Sequence, residues 1–117
     1  MISDEDVQRY HRDGYLVVPD VLSAQDIDDL RQVTDDLVEQ SRQATAHTGV
    51  FDLEPGHSAA QPRVRRIKSP HLQHATYARM VRHPGIVAVL CRLWGPNVRF
   101  DTSKLNLKAA GFGSPVE

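Results

Sequence analysis

The feature that most constrains this chain is a polar, strand-like run that leads into a glycine-rich loop. Residues 98–108 (VRFDTSKLNLK) read as a strand, and residues 109–117 (AAGFGSPVE) contain two glycines and a proline. Unpaired strand edges are templates for aggregation that natural folds pair or cover, and glycine-rich loops lead from one element to the next. We therefore expect residues 1–117 to be the N-terminal portion of one domain, incomplete at the C-terminus.

Composition disfavours several classes of function. Fourteen basic and 15 acidic residues give a net charge of -1, so no field attracts a nucleic acid or an anionic membrane. The longest apolar run, residues 86–91, is too short to span a bilayer. The single cysteine, Cys91, excludes an internal disulfide and is predicted to be buried and structural. With an acidic start that lacks a basic secretion signal, the chain is predicted to be cytoplasmic.

Capping signals predict two helices in the first half of the chain. Ser3 precedes three acidic residues, so a helix is expected to begin there and to end at Gly14. Ser23 and Asp26 form a capping box, which predicts an amphipathic helix from residue 24 to the mid-forties that packs on a sheet. Its apolar face includes Ile27, Leu30 and Leu37. Between the helices, residues 15–18 are aromatic and β-branched, which predicts a short strand.

The second half alternates between loop, strand and helix. Residues 47–62 are predicted to form a long surface loop, a feature that is often functional. Residues 63–68 predict a strand with Val64 and Ile67 inward. A helix is expected from Pro70 to the break before Pro84, and a second helix from there to Gly95. Together these elements predict an α+β fold.

The last predicted strand, residues 98–108, has two different faces. Leu105 and Leu107 share one face, which places Lys104 and Asn106 on the other. The apolar residues have even numbers before position 101 and odd numbers after it, which indicates a bulge, a strong twist or a change of packing environment. Two interpretations of the polar face stay open. It is either a solvated sheet surface or a barrel interior that binds an anionic small ligand.

Five segments occur in this order along the chain: residues 10–22 (YHRDGYLVVPDVL), 66–71 (RIKSPH), 83–84 (HP), 93–97 (LWGPN) and 103–108 (SKLNLK). Together they resemble the phytanoyl-CoA dioxygenase family. The resemblance implies an iron(II)- and 2-oxoglutarate-dependent oxygenase that hydroxylates a small-molecule substrate. It also implies a double-stranded β-helix, a jelly-roll-like fold with flanking helices, whose iron is held by two histidines and one carboxylate.

The same resemblance implies three cosubstrate residues. Lys68 matches a basic position near 2-oxoglutarate, and Lys104 and Asn106 match the strand that lines the pocket. The two carboxylates of 2-oxoglutarate require such partners, because one binds iron and the other must be paired. The alternative for Lys68 is a solvated strand end.

The metal ligands of the family are not expected in this chain. In the family, a His-x-Asp pair follows the glycine-rich loop, and a second histidine and a 2-oxoglutarate-binding arginine come later. We therefore expect neither iron(II) nor 2-oxoglutarate to bind this chain alone. His71 and His74 are three residues apart, but without a third ligand they are interpreted as surface or helix-start residues rather than a metal site.

Two functions remain open from the sequence. One is the N-terminal portion of an oxygenase, and the alternative is a non-catalytic binding or regulatory module derived from that fold. The sequence specifies neither the primary substrate nor the oligomeric state.

Overall fold

A computed structural model describes residues 1–111 as five α-helices, one 3-10 turn and a three-stranded antiparallel sheet. The elements are α1 (Asp4–Asp13), α2 (Ala24–Gln40), the 3-10 turn (Ser41–Gln43), β1 (Phe51–Leu53), β2 (Val64–Lys68), α3 (Pro70–Gln73), α4 (Ala75–Val81), α5 (Pro84–Trp94) and β3 (Lys104–Asn106). The α+β class is confirmed.

Both predicted helix starts are confirmed. The side chains of Ser3 and Ser23 each accept a hydrogen bond from the backbone N–H three residues later, and Asp6 and Asp26 accept from the capping residues in return. These reciprocal bonds satisfy donors that the first helical turn leaves unpaired. Gly14 ends α1 at a φ of 82°, a left-handed conformation that glycine adopts without steric cost.

The sheet has the order β1-β2-β3 and contains a bulge next to its most polar residues. Asp52 pairs with Arg66, whereas the next residue of β1, Leu53, pairs with Val64. Arg65 is therefore the extra residue of β2. Bulges bend a strand and redirect a side chain, and they are frequent next to active sites.

The core lies between α2 and one face of the sheet. Val33 and Leu37 of α2 join four buried sheet residues, of which Ile67 is fully buried. The sheet residues are Phe51, Leu53, Val64 and Ile67. Removing each such side chain from water contributes about 1.5–3 kcal/mol. The inward positions predicted for Val64 and Ile67 are confirmed.

The predicted apolar face of α2 is correct in part. Leu37 belongs to the core, but the other buried residue of this helix is Val33, which was not predicted. Ile27 and Leu30 are only partly buried and lie in the first half of α2, outside the core cluster. Hydrophobic periodicity therefore predicted that α2 has an apolar face, but it did not predict which part of the helix packs against the sheet.

The predicted secondary structure is wrong in three segments. Residues 15–18 form no strand, and Tyr15 and Val17 are 66% and 78% exposed because no described strand pairs with them. The predicted loop of residues 47–62 contains β1. The single helix expected from Pro70 is divided at His74, which is extended with φ of -152° and caps α4.

The prediction of a long strand over residues 98–108 is also wrong, since only Lys104–Asn106 pairs with β2. Val98 and Phe100 precede the strand and are exposed, which explains why the apolar parity changes. Leu105 packs against the core while Lys104 and Asn106 are exposed. Residues 112–117 of the predicted glycine-rich loop lie outside the described residues.

Helix α5 is apolar yet contains no fully buried residue. Cys91 is partly exposed, so the prediction of a buried cysteine is wrong: Cys91 lines a pocket with Val98 and Phe100 and does not belong to the core cluster. Within residues 1–111, no helix combines the length and apolar character that a bilayer crossing requires.

Candidate functional site

The three strands place their polar side chains on the sheet face opposite the core. Residues that pair across strands lie on the same face, and here Arg66 pairs with both Asp52 and Asn106, while Lys68 pairs with Lys104. We call these five residues the polar face. The structure thus brings together Lys68, Lys104 and Asn106, the three positions predicted from the family resemblance.

Asp52 joins two cations of the polar face. Its carboxylate lies 3.0 Å from Lys68 Nζ and 3.4 Å from a terminal nitrogen of Arg66, and the Asp52 side chain is only 13% exposed. Arg66 also donates from Nε to Asn106 Oδ1 over 3.2 Å. A continuous set of hydrogen bonds therefore runs from β1 across β2 to β3.

The pKa of Asp52 reflects this position. Burial acts to raise the pKa, but the hydrogen bond from Lys68 and the charges of Lys68, Arg66 and His47 together hold it below its ordinary value. The carboxylate is therefore ionised at neutral pH and offsets part of the positive charge of the polar face.

Lys68 is more constrained than its sequence position suggested. Besides the ion pair with Asp52, its Nζ donates to the carbonyl oxygen of Thr48 over 2.7 Å. Lys104 is its direct partner on β3, and two like charges in this relation destabilise a sheet.

Sequence reasoning missed Asp52 and Arg66. The signal for Asp52 was the alternation of Phe51, Asp52 and Leu53, in which two buried apolar residues flank a polar one. That period of two predicts a strand with its carboxylate on the outer face. The surrounding glycines and prolines led us to treat the segment as loop.

The histidine pair considered as a metal site has other partners. His74 Nδ1 accepts from the backbone N–H of Thr76 over 3.1 Å and so caps α4. His71 Nδ1 is 2.6 Å from Ser103 Oγ, and its ring lies edge-on to Phe100. His74 is thus the N-cap of α4, and His71 connects α3 to the segment before β3.

One His-x-Asp spacing does occur in the sequence, at His11 and Asp13, far before the glycine-rich loop rather than after it. These residues lie two apart on α1, and side chains with that spacing do not share a helix face. Arg12 binds both oxygens of Asp13, at 2.7 and 3.0 Å.

Within residues 1–111, no group of three or more histidine, cysteine or acidic residues is placed to hold a metal ion. The described residues therefore do not fit an iron(II) site.

Comparison with known proteins gives one family and two relatives. The family model described as "Phytanoyl-CoA dioxygenase (PhyH)" matches residues 10–117. The chain is 34% identical over 106 residues to a Streptomyces griseoviridis protein named "L-proline trans-4-hydroxylase". It is 24% identical over 113 residues to a Stutzerimonas stutzeri protein named "Probable alpha-ketoglutarate-dependent hypophosphite dioxygenase". The alignments cover 91% and 97% of this chain but only 36% and 39% of the two relatives.

Proposed function

Because this chain belongs to the phytanoyl-CoA dioxygenase family, we propose that it is the N-terminal portion of an iron(II)- and 2-oxoglutarate-dependent oxygenase. The whole protein hydroxylates a small molecule. Iron(II) and 2-oxoglutarate, when bound to the whole protein, would supply oxidation by dioxygen, in which one oxygen atom enters a C–H bond of the substrate and the other enters the succinate that forms as 2-oxoglutarate loses carbon dioxide. The family's iron ligands are not found among residues 1–111, so this portion contributes to binding rather than to the metal site.

The polar face is the observation that carries this proposal. Lys104 and Asn106 are exposed on β3, and Lys68 is fixed beside them by Asp52 and Thr48. An ammonium group binds a carboxylate by a charge-assisted hydrogen bond. We assign Lys104 and Asn106 to direct contact with 2-oxoglutarate, while the constrained Lys68 contributes mainly its positive charge.

The proposed architecture is the first part of a double-stranded β-helix with flanking helices. Two features support it. Val98, Phe100 and Trp94 expose large apolar side chains on one side of the described structure, and a further layer of the same domain is the natural cover for such a surface. The presence of a single cysteine, Cys91, supports a cytoplasmic location, where thiols stay reduced.

The names of the relatives indicate the size of the substrate. One relative is named for L-proline and the other for hypophosphite, and both of these molecules are small and polar. We propose a small, polar substrate that carries an oxyanion for the whole protein.

The test is steady-state kinetics of the full-length protein, with L-proline as the trial substrate. We expect Lys104→Ala to raise KM for 2-oxoglutarate about tenfold, the factor for losing one charged hydrogen bond, and to change KM for the substrate much less. Arg31→Ala is the control, because it removes a charge from the exposed face of α2. If Lys104→Ala leaves KM for 2-oxoglutarate unchanged, the polar face is a solvated sheet surface and not a cosubstrate site.

The alternative is a non-catalytic binding module derived from this fold. The lack of a three-ligand group among residues 1–111 is expected for both functions. The same assay distinguishes the two functions: if the full-length protein, supplied with iron(II), releases no carbon dioxide from 2-oxoglutarate with any trial substrate, the module is the better description.

A further inference from the structure

Arg66 connects all three strands of the sheet through its side chain. A terminal nitrogen lies 3.4 Å from the carboxylate of Asp52 on β1, and Nε donates to Asn106 Oδ1 on β3 over 3.2 Å. The Arg66 side chain is only 17% exposed. Because the guanidinium group is planar and its donors are fixed relative to one another, the contact with Asp52 also sets the direction in which Nε points.

The bulge in β2 brings Arg66 to the polar face. Val64 and Ile67 are both buried although they are three residues apart. Strict alternation from Val64 would turn Arg66 toward the core, but the extra residue Arg65 shifts the alternation by one position. The irregularity of this strand therefore places the guanidinium group among the other polar side chains.

The contact with Arg66 determines which end of the Asn106 amide is held. Arginine has hydrogen-bond donors but no acceptor, so its partner on Asn106 is the carbonyl oxygen Oδ1. With Oδ1 held toward β2, the two N–H donors on Nδ2 are directed away from Arg66. Asn106 is exposed, so these donors are accessible to a carboxylate. An amide that turned Oδ1 outward would instead repel a carboxylate, because both groups are acceptors.

We infer that Arg66 is a positioning residue for cosubstrate binding, which holds the Asn106 amide with its N–H donors toward a carboxylate of 2-oxoglutarate. The inference rests on the proposed function, in which Asn106 contacts 2-oxoglutarate. It adds a residue that the family resemblance did not imply. Arg66 acts through Asn106, and Asp52 holds the guanidinium group from the other side.

The first test is calorimetric titration of the full-length protein with 2-oxoglutarate, in the presence of iron(II) and without oxygen. Arg66→Lys keeps the positive charge beside Asp52 but loses the planar fork that contacts two partners. We expect this variant to raise the Kd for 2-oxoglutarate about fivefold, the factor for one net hydrogen bond. Arg31→Lys is the matched control, because Arg31 is 76% exposed on α2, and its Kd should equal that of wild type.

A double-mutant cycle shows whether Arg66 acts through Asn106. Asn106→Ala alone should raise the Kd about tenfold, the factor for one charged hydrogen bond. Adding Arg66→Lys to Asn106→Ala should cause no further loss, because no amide is left to orient. If Arg66 contributed only charge or sheet stability, the same substitution would raise the Kd equally in both backgrounds.

Asn106→Gln provides a second variant that does not depend on substituting Arg66. It keeps the amide but moves it outward by one methylene group, away from the position that Arg66 Nε holds. We expect it to bind 2-oxoglutarate about as weakly as Asn106→Ala. Position 106 is exposed on an edge strand, so this variant carries the test if thermal melts show that Arg66→Lys is unfolded.

A second readout follows the amide itself and needs no cosubstrate. Residues 1–117 contain two asparagines, Asn97 and Asn106, whose side-chain NH2 groups are observed by NMR relaxation in full-length protein labelled at asparagine. Order parameters report the mobility of such groups. We expect the Asn106 amide to be ordered in wild type and mobile in Arg66→Lys, while the Asn97 amide is the same in both proteins.

Three results would overturn the inference: equal Kd in Arg66→Lys and wild type, an Arg66→Lys loss that persists in the Asn106→Ala background, or an Asn106 amide equally mobile in wild type and Arg66→Lys. Carbon dioxide release from 2-oxoglutarate is measured in parallel with oxygen present. Turnover by wild type together with any of these results removes only this inference. The expected coupling of Arg66 and Asn106 without turnover removes only the oxygenase.

Discussion

Helices α2 and α5 lie in two regions of the molecule that differ in a way their sequences do not suggest. Helix α2 is rich in acidic residues, yet Val33 and Leu37 are buried against the sheet. Helix α5 is far more apolar, yet none of its residues is fully buried and Trp94 is 60% exposed. Burial of a helix therefore depends on whether an opposing layer is present, and not on its apolar content alone.

The contacts that hold α5 in place are accordingly different. Trp94 Nε1 donates to the hydroxyl of Tyr10 over 3.1 Å, and Arg92 pairs with Asp4 of α1. Exposed ion pairs contribute only about 0–1 kcal/mol. Apolar packing against the sheet stabilises the region around α2. By contrast, the described contacts between α5 and α1 include a hydrogen bond and an ion pair that are exposed to solvent.

The largest effect should come from the core under α2. Ile67→Ala removes the fully buried side chain at the centre of the sheet, and we expect it to lower the free energy of unfolding by about 2–5 kcal/mol. Chemical denaturation of the 117-residue chain measures the change. Ile67→Val, with an expected loss of about 0.5–1.5 kcal/mol, remains measurable if the alanine variant is unfolded.

Val17→Ala is the control for this prediction, because Val17 is apolar but 78% exposed. A surface substitution of this kind changes stability by less than about 0.5 kcal/mol. If Val17→Ala and Ile67→Ala were equally destabilising, the contrast between covered and uncovered regions would be wrong.

An intermediate effect is expected on the polar face. Asp52→Asn removes the carboxylate that lies between Arg66 and Lys68, and we expect a loss of about 1.5–3 kcal/mol at pH 7, the range for hydrogen bonds to charged groups. Asp35→Asn, on the exposed side of α2, is the control for the change in charge. Equal stability of the two variants would show that Asp52 does not hold the polar face together.

The difference between wild type and Asp52→Asn should depend on pH. The pKa of Asp52 is lowered from 3.8 by Lys68, Arg66 and His47 despite its burial. A carboxylate whose pKa is lower in the folded state stabilises the protein fully above the unfolded value, and this contribution is lost as the pH falls through the folded value. We therefore expect the two proteins to converge in stability below pH 3.8, and a constant difference would exclude the ion pair as its cause.

The sequence predicted those parts of the fold that short-range chemistry determines. The helix starts predicted at Ser3 and Ser23 depend on residues within one helical turn, and both predictions are correct. The strand at residues 64–68 follows from its own alternation. Residues 15–18 have the composition of a strand but pair with none in the described chain, and pairing is a property of the tertiary structure rather than of local propensity.

In the candidate site, too, the sequence predicted what depends on neighbouring residues and missed what depends on strand pairing. The alternation along β3 places Lys104 and Asn106 together, and the family resemblance supplied Lys68. The ion pair at Asp52 was not predictable, because it depends on the register of β1 against β2. The position of Arg65 was hidden for the same reason, since a bulge appears only when two strands are paired.

The smallest effect is expected at Trp94, in the uncovered region. In a packed core, replacing tryptophan by alanine costs about 3–5 kcal/mol. Here we expect Trp94→Ala to cost no more than about 1.5 kcal/mol, the value of one hydrogen bond to Tyr10. Trp94→Phe keeps an aromatic ring but removes the donor, so it should account for most of that loss.

Because Trp94 is the single tryptophan of the chain, its fluorescence reports exposure directly, and acrylamide should quench it readily. A loss above 3 kcal/mol with protected fluorescence would show that α5 is covered in solution, and the contrast with α2 would then be wrong.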